Sequence, residues 1–134
     1  MNINQLKAYC NAFPGASENL SGAPINVLSY KVHGKQFAYF KTSEPEQWRF
    51  SFRATFERFL ELTDQPGIKP ARYLQRFYWV TVVDVQTINE EYLKELVEWS
   101  YHKAVSGLPK KVQAEINAIC SVNHEKRLDE DIQL

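Results

Sequence analysis

The chain has 134 residues, of which 44% are hydrophobic and 24% are charged, and its 16 Lys/Arg balance 16 Asp/Glu. This length allows one ordinary hydrophobic core and excludes two domains of usual size, which need roughly 100–200 residues each. The zero net charge excludes the large basic excess of avid nucleic-acid binders. Residues 1–80 nevertheless hold ten Lys/Arg against six Asp/Glu, and residues 81–134 hold six against ten. The charge distribution therefore predicts at most modest binding to a polyanion.

The N-terminal segment predicts a helix followed by a β-hairpin. One helix face carries apolar residues at i, i+3, i+4 and i+7, namely Leu6, Tyr9, Cys10 and Phe13. Pro14-Gly15 ends this helix. After a polar loop at residues 21–24, residues 26–32 alternate as a strand. His33-Gly34 is a tight-turn signal, and residues 36–40 return as the second strand of the hairpin.

A third strand is predicted at residues 48–53, where rings alternate with polar side chains. The alternation sends Trp48, Phe50 and Phe52 to one face, which we expect to be buried. It sends Arg49, Ser51 and Arg53 to the other face, which is therefore cationic. A short second helix is predicted over residues 56–63.

Two further strands and two helices are predicted in the rest of the chain. A strand or extended segment at residues 73–76 precedes a β-branched strand at residues 79–85. Residues 87–90 match a capping box that opens the longest helix, which Gly107 ends. Pro109 suits the first turn of the last helix. The predicted element order is α-β-β-β-α-β-β-α-α.

This order predicts a single compact α+β domain over residues 1–120, in which helices cover an antiparallel sheet of about five strands. Residues 121–134 are polar and are predicted to form a C-terminal tail. The sequence has no signal-peptide pattern and no apolar run near the ~20 residues of a membrane span. We therefore expect a cytoplasmic protein with no membrane contact, in which Cys10 and Cys120 stay reduced and apart.

A run of cations and rings at residues 69–79 is the main functional signal. Together with the third strand and the start of the last helix, it supplies a candidate nucleic-acid interface of Arg49, Arg53, Lys69, Arg72, Tyr73, Arg76, Lys110 and Lys111. Cations would hold phosphates, and an exposed ring would stack on an unpaired base. The pattern predicts weak, largely sequence-independent and salt-dependent binding to DNA or single-stranded nucleic acid. The same cations also fit ordinary solubility charges on strand surfaces.

The sequence offers no catalytic motif. None of His33, His102 and His124 lies at a metal-ligand spacing, and no GxGxxG, Walker-type or GxSxG loop occurs. Cys10 lies on an apolar helix face, which favours a buried thiol over a nucleophile. We therefore expect no enzymatic activity, no cofactor and no metal.

A protein-interaction or adaptor module is the alternative hypothesis. The long helix already has a sufficient buried stripe in Leu93, Leu96 and Val97, so Tyr92 and Trp99 are available for a partner. Exposed rings there would favour a partner protein. Exposed rings beside Arg72 and Arg76 would favour nucleic acid.

Several short motifs occur in an order that resembles the MmcQ/YjbR family. They are Tyr9-Cys10, Phe13-Pro14-Gly15, Tyr30–Lys35, Phe37-Ala38, Pro70–Trp79, Ser100-Tyr101 and Leu108–Lys111. The resemblance runs from about Leu6 to about Ile116. It implies a compact α+β domain in which helices cover one face of an antiparallel sheet. The family is often labelled DNA-binding on structural grounds, and the resemblance implies no catalytic or cofactor residues.

Overall fold

The computed structural model describes residues 1–119, which form a six-stranded antiparallel sheet and four helices. The elements are α1 (Ile3–Asn11), β1 (Ala16–Ser21), β2 (Val27–Val32), β3 (Lys35–Lys41), β4 (Phe50–Arg53), α2 (Phe56–Thr63), β5 (Ile68–Pro70), β6 (Trp79–Val82), α3 (Glu90–Ser106) and α4, described over residues 110–119. The strand order across the sheet is β1-β2-β3-β4-β6-β5. The predicted α+β class is confirmed, with one strand more than the sequence predicted.

The helices pack on one face of the sheet, and the core lies between the helices and that face. α3 contacts the central strands β2, β3 and β4, while α2 contacts β5 and β6 at one edge. The helix-facing side chains of the sheet are almost all apolar, including Leu28, Tyr30, Phe40, Phe50, Phe52, Val80 and Val82. No described helix is long and apolar enough to cross a membrane.

The first hairpin forms where it was predicted. β2 and β3 are joined at His33-Gly34, and both residues have positive φ, as a two-residue hairpin turn requires. A β-bulge then shifts the register, because Tyr30 pairs with Ala38 whereas Lys31 pairs with Gln36. The extra residue is Phe37, whose ring is fully buried. The bulge therefore adds a second aromatic side chain to the helix-facing side.

The alternation predicted for the third strand is confirmed at Phe50 and Phe52, which are fully buried in the core. Trp48 differs from the prediction because it lies before β4, in a turn with φ of 67°. Its half-buried ring still meets the Phe40 ring edge-on at 6.0 Å between centroids. The outward positions of β4 are Ser51 and Arg53, as predicted.

Three strand predictions were wrong, each for a physical reason. Strand β1 lies mostly before the predicted polar loop and was not predicted, because this edge strand exposes four of its six residues and has no apolar alternation. Residues 75–77 form a 3-10 turn rather than a strand, and the pairing strand is the shorter β5 before them. β6 ends at Val82, because residues 85–87 form another 3-10 turn.

The predicted capping box at the start of α3 was also wrong. Asn89 is the N-cap, and its side chain accepts a hydrogen bond from the Tyr92 backbone N–H at 3.0 Å. The Thr87 hydroxyl instead donates to the Asp84 carbonyl within the preceding turn. Gly107 caps the C-terminus of α3, as predicted.

Only one of the two cysteines lies in the described part of the chain. Cys10 is a buried free thiol on α1, and burial raises its pKa. A raised pKa keeps the thiol protonated and unreactive at neutral pH. Cys120 and the tail predicted at residues 121–134 lie outside the described residues.

One buried hydroxyl joins α3 to the sheet. Ser100 donates to the Phe37 carbonyl at 2.6 Å and accepts from the Arg53 backbone N–H at 3.0 Å. The β3–β4 ladder pairs residues 38–40 with residues 50–52, and the bulge lies just beyond it. Ser100 therefore satisfies two backbone groups that the interrupted ladder leaves without strand partners.

We predict that Ser100→Ala lowers the free energy of unfolding by about 1–3 kcal/mol, because it leaves both backbone groups buried and unpaired. Urea denaturation followed by circular dichroism measures this change. Ser106→Ala is the matched control, since its exposed hydroxyl bonds only to the Lys103 carbonyl of the same helix. The control should change stability by less than about 0.5 kcal/mol. Equal effects of the two substitutions would contradict the bridging role.

Candidate nucleic-acid interface

The face of the sheet opposite the helices carries a groove of about 710 Å³. Its floor consists of outward-facing residues of neighbouring strands, because Tyr39 pairs with Ser51 and Ser51 pairs with Thr81. Ile25, before β2, and Tyr73, after β5, line it on either side. No described helix packs on this face, but Ser51 in the floor is only 2% exposed.

Four cations and one acid line the groove. The cations are Lys41, Arg49, Lys69 and Arg72, and the acid is Glu46. Arg49 precedes β4, Lys69 lies on β5 opposite Thr81, and Arg72 follows β5. One donor position of the Lys41 ammonium is already used, since its Nζ donates to the Ile25 carbonyl at 3.0 Å. The groove therefore has a local excess of positive charge in a protein whose formal net charge is zero.

Glu46 lies between the two arginines of the groove. Its Oε2 is 3.5 Å from Arg49 Nη1, and its Oε1 is 3.5 Å from Arg72 Nη1. Both distances exceed the 2.7–2.9 Å of a tight charge-assisted hydrogen bond. These are therefore loose ion pairs.

The floor of the groove is aromatic and hydroxylic. The hydroxyls of Ser51 and Thr81 share a hydrogen bond of 2.7 Å. Burial raises the pKa of Tyr39, and the Glu46 carboxylate acts in the same direction, whereas a bond to Ser51 opposes them. Tyr39 therefore stays a neutral hydrogen-bonding phenol at physiological pH. Its ring stacks on Trp79 at 5.8 Å between centroids, and Trp79 is buried.

Tyr73 is the most exposed large side chain at the groove. Its ring is 85% exposed, and its backbone has φ of 68°, in the left-handed region. That region costs a residue with a Cβ roughly 1–2 kcal/mol relative to a right-handed conformation. A solvent-exposed ring in strained backbone makes little contribution to the core. An outlier of this kind is a reason to look for a function.

The structure brings four of the eight predicted site residues together in the groove, namely Arg49, Lys69, Arg72 and Tyr73. Arg53 lies on the same face of β4 but outside the groove lining. Arg76 lies in the 3-10 turn between β5 and β6, where its guanidinium is 4.8 Å from the Phe77 ring.

Lys110 and Lys111 do not join this cluster. They begin α4, whose Ile116 packs into the core on the helix side of the sheet. The preceding Gly107 lies beside Lys35, at the end of the sheet where β2 turns into β3. The two lysines are thus absent from the groove lining and begin a helix on the other face of the sheet.

Among the groove residues that sequence reasoning did not assign to a site are Tyr39, Lys41 and Glu46. The first two carried a usable signal, because they alternate with the core residue Phe40 and must face outward with Ser51. Glu46 carried none, since its position depends on how the β3–β4 loop folds back.

The residues considered for a protein partner or for catalysis lie elsewhere. Tyr92 is half-buried, and its hydroxyl accepts a hydrogen bond from Arg58 at 2.8 Å. Trp99 is 37% exposed on α3. Within residues 1–119, no group of three or more His, Cys, Asp or Glu side chains is placed to hold a metal ion.

The surface formed by α2 and α3 has the opposite charge to the groove. α2 and α3 carry six glutamates, all exposed, against three Lys/Arg. Two of these acids, Glu95 and Glu91, form surface ion pairs with Arg58 and Lys94. The sheet therefore separates the basic groove from an acidic surface on α2 and α3.

A comparison with protein-family models matches the YjbR family over residues 11–103. This match covers most of the chain. The chain belongs to the YjbR family.

Curated relatives of this YjbR-family chain agree with that assignment. Escherichia coli K12 YjbR, which is described as uncharacterized, is 30% identical over 113 residues, covering 83% of this chain and 93% of that protein. Escherichia coli O157:H7 YbdF, also described as uncharacterized, is 27% identical over 95 residues, covering 71% of this chain and 69% of that protein.

Two solved structures share the fold. Deinococcus radiodurans protein DR2400, with a domain named DUF419, superposes with a TM-score of 0.73 at 27% identity, over 87% of this chain and 88% of the other. A Pseudomonas syringae protein superposes with a TM-score of 0.62 at 16% identity, over 78% of this chain and 99% of the other. The second likeness concerns the fold alone.

We predict that Tyr73→Gly leaves the free energy of unfolding unchanged or raises it by up to about 1 kcal/mol, because glycine adopts the left-handed region without strain. Chemical denaturation measures the change. Tyr78→Gly is the matched control, since Tyr78 has a similar φ of 65° but packs its ring on Phe56 and Phe59. The control should destabilise the domain by about 1–3 kcal/mol through lost packing. A loss of stability in Tyr73→Gly as large as in the control would mean that the Tyr73 ring is structural.

Proposed function

We propose that this YjbR-family domain binds single-stranded nucleic acid, weakly and with little sequence preference, in the groove on the open face of its sheet. The observation that carries the proposal is the gathering of Lys41, Arg49, Lys69 and Arg72 around one groove beside the exposed ring of Tyr73. A single strand presents phosphates and unpaired bases together, so its binding site needs cations for the phosphates and an exposed ring for a base.

The phosphates would be held by the two cations that are most accessible. Lys69 and Arg72 are exposed on adjacent positions of one edge of the groove, and Lys69 makes no ion pair with any described residue. Binding two phosphates there would release condensed counterions from the nucleic acid, which favours association at low salt. With few cations and a neutral protein overall, the dissociation constant should be in the roughly 10⁻⁴–10⁻⁶ M range of non-specific binding.

The preference for single strands comes from Tyr73. A base in a duplex is already stacked on both sides and cannot lie on a protein ring, whereas an unpaired base can. Base stacking on an aromatic side chain contributes about 1–3 kcal/mol. The groove volume of about 710 Å³ is that of a small-ligand site, which suits one segment of a flexible strand rather than a rigid helix.

The proposal is one of binding rather than catalysis. The described groove lining contains no His or Cys, and its one carboxylate, Glu46, is paired with arginines. A general base or nucleophile would need a poised titratable group there. The floor instead offers neutral hydroxyls, which donate and accept hydrogen bonds without changing charge.

We predict that Lys69→Ala/Arg72→Ala weakens binding to a fluorescein-labelled dT15 oligonucleotide and lowers the slope of log affinity against log salt by about 1.4, because two phosphate contacts to a single strand are lost. Fluorescence anisotropy between low and physiological salt measures both quantities. Tyr73→Ala should weaken dT15 binding while leaving binding to a duplex of equal length unchanged.

Lys110→Ala/Lys111→Ala is the matched control, since it removes the same two charges from the far side of the domain. It should leave affinity and slope unchanged. If both double variants weaken binding equally, the attraction is diffuse and the groove is not the site. If the unmodified protein does not bind at low salt, the proposal fails. The protein-interaction alternative would then be tested first at Trp99.

A further inference from the structure

The inference below rests on the proposed function and concerns how the groove is occupied before a ligand arrives. Glu46 is the one acid among the groove residues, and each of its carboxylate oxygens faces a different arginine at 3.5 Å. Two separated cationic side chains around one set of oxygens are also the arrangement by which arginines hold a phosphate. The carboxylate therefore lies where a ligand phosphate would lie.

The backbone of Glu46 is held by two hydrogen bonds, whereas its carboxylate makes two ion pairs, both at 3.5 Å. The Glu46 N–H donates to the Ser43 carbonyl at 3.2 Å, and its carbonyl accepts from the Arg49 N–H at 3.2 Å. The Glu46 side chain is 27% exposed, and the Arg72 side chain is 70% exposed. Rotation of the Glu46 side chain would remove the carboxylate from the arginines without unfolding the loop.

We propose that Glu46 is an internal competitor for the phosphate site, which ligand phosphate displaces from Arg49 and Arg72. A phosphodiester carries one negative charge, as the carboxylate does, so the exchange gains little Coulomb energy. Binding in the groove is therefore weak, because each phosphate must first displace the Glu46 carboxylate from the arginines. Removal of the carboxylate leaves both guanidiniums without a described acidic partner and turns the groove into a stronger anion site.

The test compares Glu46→Gln with Glu44→Gln. Glu44 lies two residues earlier in the same loop, is exposed, and does not line the groove, so both substitutions change the net charge equally. Glu46→Gln should bind dT15 about three- to tenfold more tightly, since the carboxylate no longer competes for the two arginines. Glu44→Gln should change the affinity less than twofold.

Equal tightening by both substitutions would show that only the overall charge matters, and it would overturn the inference. Unchanged or weaker binding by Glu46→Gln would overturn it as well. In either case binding of dT15 by the unmodified protein would leave the proposed function intact.

A second probe separates the two claims if no oligonucleotide binds. Inorganic phosphate is titrated into the unmodified protein and into Glu46→Gln, and the Nε–Hε signals of Arg49 and Arg72 are followed by NMR. The inference expects both signals to move at a severalfold lower phosphate concentration in Glu46→Gln. Identical titrations in the two proteins would overturn it, whatever the outcome with dT15.

Discussion

Every strand of this sheet is pleated, so each strand sends alternate side chains to opposite faces. The described helices lie on one face alone, and this single constraint divides the molecule. Residues such as Phe50 and Phe52 are apolar and lie in the core, whereas Ser51 between them is polar and lines the groove. The candidate site follows from the same pleat that builds the core, since Tyr39, Ser51 and Thr81 are the counterparts of buried neighbours. A substitution that shifted the register of β4 by one residue would therefore exchange core and site together.

The bulge at Phe37 is the one place where the alternation is broken. It adds a ring to the aromatic cluster formed by Phe13 and Tyr101, which lies between α1, α3 and the sheet. The cost is an interrupted ladder, and Ser100 compensates by bonding to both strands. The bulge and the serine thus belong to one arrangement, which fixes where α3 crosses the sheet. The position of α3 in turn decides which face stays open.

The sequence predicted those features that depend on local pattern. The His33-Gly34 turn, the alternation of β4 and the Gly107 cap needed no knowledge of distant contacts. Strand β1 could not be found in this way, because an edge strand with one paired side needs little apolar surface. Four of the eight predicted site residues line the groove, since Arg49 continues the alternation of β4 and the cations and the ring after Ile68 lie in one short segment. Lys110 and Lys111 could not be placed, because the helix they begin returns to the far side only through packing.

The opposed charges of the groove and of the α2–α3 surface have a consequence for how this molecule approaches a polyanion. Lys69 and Arg72 on one side and the glutamates of α2 and α3 on the other contribute an electric dipole component directed across the sheet. In a field gradient such a molecule experiences a torque and a net attraction although its formal charge is zero. When the protein lies within about one Debye length of the polyanion, roughly 8 Å at physiological salt, this torque would turn the groove toward the polyanion before contact. The acidic helices would then face the solvent, where their repulsion discourages a second copy from binding close by.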